Sequence, residues 1–237
     1  MLFLAKTKSK TRDMERKIVI IKSIEFINHD VLEIRTKKPD GYSFKPGQAT
    51  EIAINKEGWK DEKRPFTFTN LPTETDLQFT IKVYPDNDGV TEQLSKLKKG
   101  DELTIGEIFG AIHYKGKGTF VAGGAGVTPF ISIFKSLEDE NDLLGNALIF
   151  ANKTKKDIFL KETFERYLGR KFVNVLSEED TTEYPNGRID KEFLNNTITD
   201  WSQFFYVCGP PKMTESVTDA LKDLGVSEDK LVIEDYS

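Results

Sequence analysis

The sequence predicts a two-domain β + α/β protein, with an antiparallel barrel or sandwich in the first half and a parallel sheet carrying helices on both faces in the second. Three observations predict it. Residues up to about 116 hold six short runs rich in Ile, Val, Phe and Thr, separated by turn clusters. Beyond Lys117, apolar runs of four to six residues alternate with amphipathic helical patterns. The 237 residues are 38% hydrophobic and 31% charged, which is core enough for one to two domains and too apolar for a disordered chain.

In the first half the strands are KIVIIKSIEFIN, DVLEIRT, QATEIAI, RPFTFTN, LQFTIKVY and ELTIGEI. KPDGY, KPGQ, NKEGW and PDNDG supply the Gly, Pro, Asn and Asp of tight reversals. One helix interrupts them, TEQLSKLKKG, with Thr91 as its expected N-cap and Gly100 as its stop. In the second half TFVAGG, ALIFAN, KFVNVLS, FFYVCG and KLVIEDYS read as strands, and VTPFISIFKSLEDE, DIFLKETFERYL and PPKMTESVTDALKDLG as helices. The expected organisation is a flexible segment over 1–13, a first domain over 14–116 and a second over 117–237, with the boundary in YKGKG.

Residues 1–116 hold 20 Lys and Arg against 18 Asp and Glu, whereas 117–237 hold 14 against 21. A net-acidic chain without a basic stripe is a poor nucleic-acid binder, because that binding rests on clustered Lys and Arg at phosphates. Cys208, the one cysteine, makes no internal disulfide and holds neither an iron–sulfur cluster nor a Cys-based zinc site. His29 and His113 read as ordinary surface or barrel residues, so no metal site is expected. No run reaches the roughly 18 apolar residues that would span a bilayer. MLFLA is too short for a signal peptide and precedes its basic residues, so the expected location is cytoplasmic.

The sharpest motif is VAGGAGVTPF. An apolar strand runs into Gly123, Gly124 and Gly126, then Thr128 and Pro129 open a helix. Such a turn lets backbone amides and a helix dipole meet a pyrophosphate. It is not a P-loop, since no Gly-Lys-Ser/Thr follows. In KRPFTFTN, Arg64 offers a bidentate phosphate contact, Phe66 a planar ring and Thr67 a hydrogen bond to a ring nitrogen. Strict alternation puts Arg64 and Phe66 on one face and Thr67 on the other, so either the strand bends or only part of the set meets one ligand. LQFTIKVY splits into Leu77, Phe79, Ile81 and Val83 against Gln78, Thr80, Lys82 and Tyr84, the second face reading as solvated. Asp88, Gly89, Val90 and Thr91 then form a second loop whose amides suit a phosphate. Near the end, Cys208 closes a strand and Gly209 and Pro210 lead into a helix, where ligands of open parallel sheets bind.

These strings resemble the ferredoxin–NADP reductase superfamily, whose signature is an RxYS/T strand, a GGxGxTP turn and a late CGPP. RPFT at 64–67, GGAGVTP at 123–129 and CGPP at 208–211 occur in that order, after an F-x-P-G-Q string at Phe44–Gln48. The resemblance implies a Greek-key flavin-binding barrel followed by a nicotinamide-dinucleotide domain. It implies that Arg64 and Pro65 lie at the flavin phosphate, that Phe66 packs on the flavin, and that Thr67 bonds near its reactive nitrogen. Lys82 and Tyr84 would form the next flavin strand, and Gly89, Val90 and Thr91 the pyrophosphate loop. Thr128, Pro129, Cys208, Gly209 and Pro210 would line the nicotinamide site, with Gly123, Gly124 and Gly126 at the dinucleotide phosphates. The implied cofactors are FAD, with FMN as the alternative, and NADH or NADPH as hydride donor.

Two departures stand out. The family's stacking tyrosine is Phe66 here, which keeps the ring and loses the hydroxyl. The chain ends Glu234-Asp235-Tyr236-Ser237 instead of on a stacking aromatic. This is similar to bacterial flavodoxin reductases, and makes Glu234 a candidate proton-relay group and Tyr236 a candidate flavin cover. FANKTKKDIFL resembles the equivalent stretch of cytochrome-b5 reductase, with Asp157 as an acidic ribose contact, while Lys153, Lys155 and Lys156 would attract a ribose phosphate. The implied activity is an NAD(P)H-dependent flavoprotein reductase with Thr67, Cys208 and Glu234 as its catalytic candidates. It would pass single electrons to a separate carrier such as a flavodoxin, a ferredoxin or an oxygenase component. A ferric or siderophore reductase, or a flavin-binding module without catalysis, are the alternatives.

Overall fold

The computed structural model describes residues 16–84 and 88–234. The segment 1–13 and Tyr236 lie outside the described residues. β1 (Lys17–Phe26), β2 (Val31–Lys37), β3 (Ala49–Ile54), β4 (Arg64–Thr67), β5 (Asp76–Lys82) and β6 (Glu102–Phe109) form an antiparallel sheet in the order β4-β3-β6-β1-β2-β5. A bridge between Phe68 and Phe79 joins its two outer strands, and Thr69 N donates to Gln78 O at 2.8 Å just beyond it. The sheet is thereby closed into a barrel, which leaves few unpaired edges. Val19, Ile21, Ile34, Phe68, Phe79 and Leu103 fill it. Burying each such side chain is worth about 1.5–3 kcal/mol.

The helix after β5 is shorter than its pattern. α1 (Val90–Ser95) starts from Gly89, not Thr91, and Gly89 is extended with no side-chain cap. Thr91 lies within the helix, and its hydroxyl accepts a bond from Tyr84 N at 3.3 Å. The expected cap was displaced because this hydroxyl ties the helix start to the end of the preceding strand.

β7 (Gly118–Gly123), β8 (Ala147–Asn152), β9 (Phe172–Leu176), β10 (Phe204–Cys208) and β11 (Leu231–Ile233) form a parallel sheet ordered β11-β10-β7-β8-β9. On one face lie α2 (Thr128–Asp139) and α3 (Lys161–Leu168), where Phe130, Phe134 and Phe164 pack on Phe120 and Phe150. On the other lie α4 (Lys191–Thr197) and α5 (Pro211–Asp223), with Leu194, Val217 and Leu221 on Val121, Ile149 and Val207. The near-continuous apolar strands follow from burial on both faces. α3 begins one turn later than its pattern, because Leu160 takes a left-handed conformation with φ of 54°. α4 is absent from the sequence reading. Its signal is Asp190, whose carboxylate caps Phe193 N at 2.8 Å.

Polar contacts join the two halves of the molecule, among them Asn28 Nδ2 to Lys156 O at 3.4 Å. Gly47 N donates to Ser132 Oγ at 2.9 Å. Lys135 Nζ donates to Thr69 O at 2.7 Å and to Gln78 Oε1 at 3.4 Å. Lys82 Nζ reaches Asp30 at 2.8 Å and Asp157 at 3.7 Å, with His29 Nε2 3.3 Å from the Asp157 carboxylate. The expected solvated face of β5 is therefore not solvated. Gln78 and Thr80 are buried, because α2 and its Lys135 cover them.

Candidate active site

β4 runs from the surface into the barrel closure, so its exposure falls along the strand instead of alternating across it. Arg64 and Pro65 are exposed, Phe66 and Thr67 are half-buried, and Phe68 is fully buried. Phe66 packs against the barrel core. The Arg64 guanidinium touches the exposed Glu62 at 3.3 Å and the Lys63 carbonyl at 2.7 Å. The antiparallel bridge sets 64–67 opposite 80–83, yet among the described residues no ladder bond links β4 to β5 there. On this stretch β4 carries Arg64, Phe66 and Thr67, and the facing end of β5 leads through Lys82 to the 49%-exposed Tyr84. Gly89, Val90 and Thr91 follow at the end of the same strand.

In the second sheet the GGAG turn and the CGPP turn are packed back to back. A Cβ on Gly126 would lie 2.3 Å from Cys208 O, and one on Gly123 would lie 2.4 Å from Met213 Sδ. The close approach of Cys208 and Met213 leaves no room for a side chain at those two glycines. Gly124 is different: its φ is +50° and no atom lies within 4 Å of an added Cβ. It is the glycine of the turn with open space beside it. Thr128 Oγ1 donates to Ala125 O at 2.9 Å, closing the turn onto α2, and Pro129 is buried at the second helical position. The same 124–127 turn abuts β5 of the barrel, bringing both sheets to one place.

Cys208 is buried within the apolar cluster that includes Val31, Ile112 and Phe120. Gly209 and Pro210 follow it into α5. Glu234 accepts bonds from Ala111 N and Ile112 N, both at 3.3 Å, and so ties the end of the second sheet to the connection between sheets. Its two oxygens are engaged by backbone there. Tyr206, which sequence reasoning missed, holds the same connection: its hydroxyl accepts from Lys115 N and Gly116 N at 2.9 and 3.0 Å and donates to Gly116 O at 2.6 Å.

Asp157 is buried at the seam. Its Oδ2 accepts from Thr154 N at 2.8 Å and Thr154 Oγ1 at 2.6 Å, and its other oxygen faces Lys82 and His29. Burial pushes its carboxyl up, but the Thr154 bonds, with Lys82 and His29 beside it, outweigh burial and hold it below its ordinary value. His29, Asp30 and Asp157 stand close enough to share a cation, a position the Lys82 ammonium already neutralises. Lys153 and Lys155 are paired with Glu178 and Glu183.

Two family models cover most of the chain: an FAD-binding domain over residues 16–113 and an oxidoreductase NAD-binding domain over 120–219. The chain belongs to the ferredoxin–NADP reductase superfamily. Within that superfamily it is 26% identical over 221 residues to NADH-cytochrome b5 reductase 2 of Mycosarcoma maydis, covering 84% of this chain and 63% of that one. It is 27% identical over 237 residues to the propane 2-monooxygenase reductase component of Rhodococcus jostii, covering 90% of this chain and 62% of that one. The chain thus spans under two thirds of the length of these relatives. The fold matches the FAD/NAD-binding domain of nitric oxide dioxygenase from Vibrio cholerae with a TM-score of 0.81 at 19% identity, over 92% of this chain and 97% of that one. A ferredoxin NADP+ reductase from Neisseria gonorrhoeae with bound FAD and NADP gives a TM-score of 0.81 at 18% identity, over 92% and 98%.

The chemistry of these residues is compatible with the flavin that an FAD-binding domain holds. The ends of β4 and β5 carry an exposed guanidinium, a half-buried ring and an exposed tyrosine, and the following helix starts on an uncapped glycine. These are the donors and surfaces that a ring system carrying phosphates needs.

Proposed function

We propose that this protein is an NAD(P)H-dependent flavin reductase that takes a hydride from the nicotinamide and passes single electrons to a separate carrier. The observation that carries the reading is the abutment of the GGAG turn on β5, the strand that leads to Lys82 and Tyr84. When bound, FAD supplies the two-electron to one-electron conversion. The chain's own residues do the positioning. Arg64 and the amides of Gly89, Val90 and Thr91 hold the flavin phosphates, Phe66 and Tyr84 flank its ring, and Thr67 offers a hydroxyl to it. Gly124 and Thr128 meet the dinucleotide, while Cys208, Gly209 and Pro210 wall the nicotinamide. Rigid alignment of two rings is worth several orders of magnitude in rate.

Cys208 acts here by its shape, as a buried side chain packed in an apolar cluster at the end of β10. Glu234 acts by holding the connection at Ala111 and Ile112. The similarity to a monooxygenase reductase component supports a separate carrier as the one-electron acceptor. Among the described residues no helix is long and apolar enough to cross a membrane. The test is an anaerobic titration of the FAD-loaded protein with NADH and with NADPH, followed by flavin absorbance. Bleaching by either donor is expected, and a flavin band that neither donor bleaches would overturn the reading.

A further inference from the structure

α2 buries Phe130, Ile131, Ile133, Phe134 and Leu137, and the polar residues between them fall in one row. Thr128, Ser132 and Lys135 stand at i, i+4 and i+7, one above the other on a single face. That face meets the barrel. Ser132 Oγ accepts from Gly47 N at 2.9 Å, and one turn further on Lys135 Nζ donates to Thr69 O at 2.7 Å and to Gln78 Oε1 at 3.4 Å. Both ends of the lysine contact lead to the site described above. Along α2 the row runs back to Thr128 and the GGAG turn. Along the barrel, Thr69 lies two residues beyond Thr67, across the Phe68 bridge that closes the sheet.

The barrel end of the contact is itself braced. Thr69 N donates to Gln78 O at 2.8 Å, and the hydroxyls of Thr69 and Thr80 lie 3.0 Å apart. Gln78 Nε2 donates to Glu33 Oε2 at 2.7 Å, and the other Glu33 oxygen accepts from Arg35 Nε at 2.9 Å. Thr69, Gln78 and Thr80 are buried, so Lys135 grips a part of the barrel that is fixed on every side. Both of its acceptors are neutral oxygens. Burial pushes the ammonium below the ordinary lysine value, while the Glu74 and Glu33 carboxylates act the other way. A charge drawn partly out of water onto neutral acceptors returns little net stability. What the residue supplies is geometry.

We propose that Lys135 is a positioning residue for hydride transfer: it fixes the helix that carries the dinucleotide turn against the 67–69 stretch of the barrel, and so sets the distance between nicotinamide and flavin. This rests on the reductase reading above. Transfer needs the reacting atoms about 3–3.5 Å apart, and a misplacement of about 1 Å from a residue remote from the chemistry costs about 100-fold in rate. Removing Lys135 leaves the binding residues of each half in place and loosens the relation between them. Its loss should therefore fall on the transfer step and not on the binding of either group.

The test is Lys135→Met, which keeps an unbranched side chain of similar length and removes its donors. In anaerobic stopped-flow reduction of the FAD-loaded protein, the limiting rate should fall at least tenfold. The half-saturating donor concentration, and the FAD affinity read by calorimetry, should stay within twofold. Lys135→Arg, which restores charge and donors, should recover at least a third of the wild-type rate. In the protein without FAD, residual dipolar couplings should give one common alignment for the two sheets in wild type and two in Lys135→Met. Lys135→Gln, whose amide has a shorter reach, should behave as Lys135→Met does and replaces it if the methionine variant does not fold. A limiting rate within twofold of wild type, a donor affinity that falls as far as the rate, a single alignment retained in the folded variant, or loss of folding in all three variants would each overturn the assignment and leave the reductase reading intact. If neither NADH nor NADPH reduces the wild-type flavin, the reductase reading falls and this inference falls with it.

Discussion

The amide of Gly47 donates to the hydroxyl of Ser132 across the seam at 2.9 Å, joining the barrel's F-K-P-G-Q loop to the helix that follows the GGAG turn. Gly47 has φ of +93°, and a Cβ there would lie 2.4 Å from Ile112 O. One loop therefore touches α2 and the connection between sheets at once. Ser132 is fully buried, so this bond has no water to replace it.

Ser132→Ala should leave the Gly47 amide buried without its acceptor and cost about 1–3 kcal/mol. Urea unfolding is the measurement. Gly47→Ala should cost more, since it adds a backbone clash to a left-handed φ.

The turn glycines should separate by mechanism. Gly126→Ala drives a methyl into the Cys208 carbonyl and should prise the GGAG and CGPP turns apart, abolishing dinucleotide binding while the flavin is retained. Gly124→Ala meets open space and pays only the left-handed strain, about 1–2 kcal/mol. Nucleotide titration of the two FAD-loaded variants distinguishes them.

Arg64→Ala should weaken FAD binding by roughly 10- to 100-fold, the scale of one or two charge-assisted hydrogen bonds. The apo protein's unfolding midpoint should barely move, because Arg64 is exposed and, among the described residues, its polar contacts are to the exposed Glu62 and the Lys63 carbonyl. Flavin fluorescence quenching reads the first quantity and urea the second.

The Asp157 carboxyl is held below its ordinary value of 3.8 in the folded state. Its contribution to stability is accordingly complete above pH 3.8 and is lost as pH falls through the lower folded value. Asp157→Asn should flatten that acid limb of the stability profile. The seam should loosen in the same range, seen as faster hydrogen exchange at Thr154 and Lys156.

Tyr206→Phe should remove three hydrogen bonds to residues 115 and 116 while keeping the ring stacked on Phe120 at 4.1 Å. A loss of about 1–3 kcal/mol is expected from the unpaired groups. The measurement is thermal unfolding at neutral pH, where the phenol, pushed up by burial, is protonated.

What the sequence alone determined is local and periodic. Six β-rich runs, the change of period after Lys117 and the glycine turns gave both sheets, because alternation and helical repeat are written into consecutive residues. Motif order gave the superfamily, since RPFT, GGAGVTP and CGPP each solve a short-range backbone problem. What only the tertiary structure decided is which surface meets which. Gln78 and Thr80 look solvated along their strand and are buried by a helix some 55 residues away in the chain. Asp157 looks like a ribose contact and is held at the seam by Lys82 from the other sheet. Gly123 and Gly126 read as turn glycines, and the reason no side chain fits there is Met213 and the Cys208 carbonyl, far along the chain. Glu179 sits in an ordinary acidic run until two parallel strands carry it beside Lys155. In each case the deciding partner lies far along the chain, and its desolvation, charge or volume outweighs the local pattern that a linear reading registers.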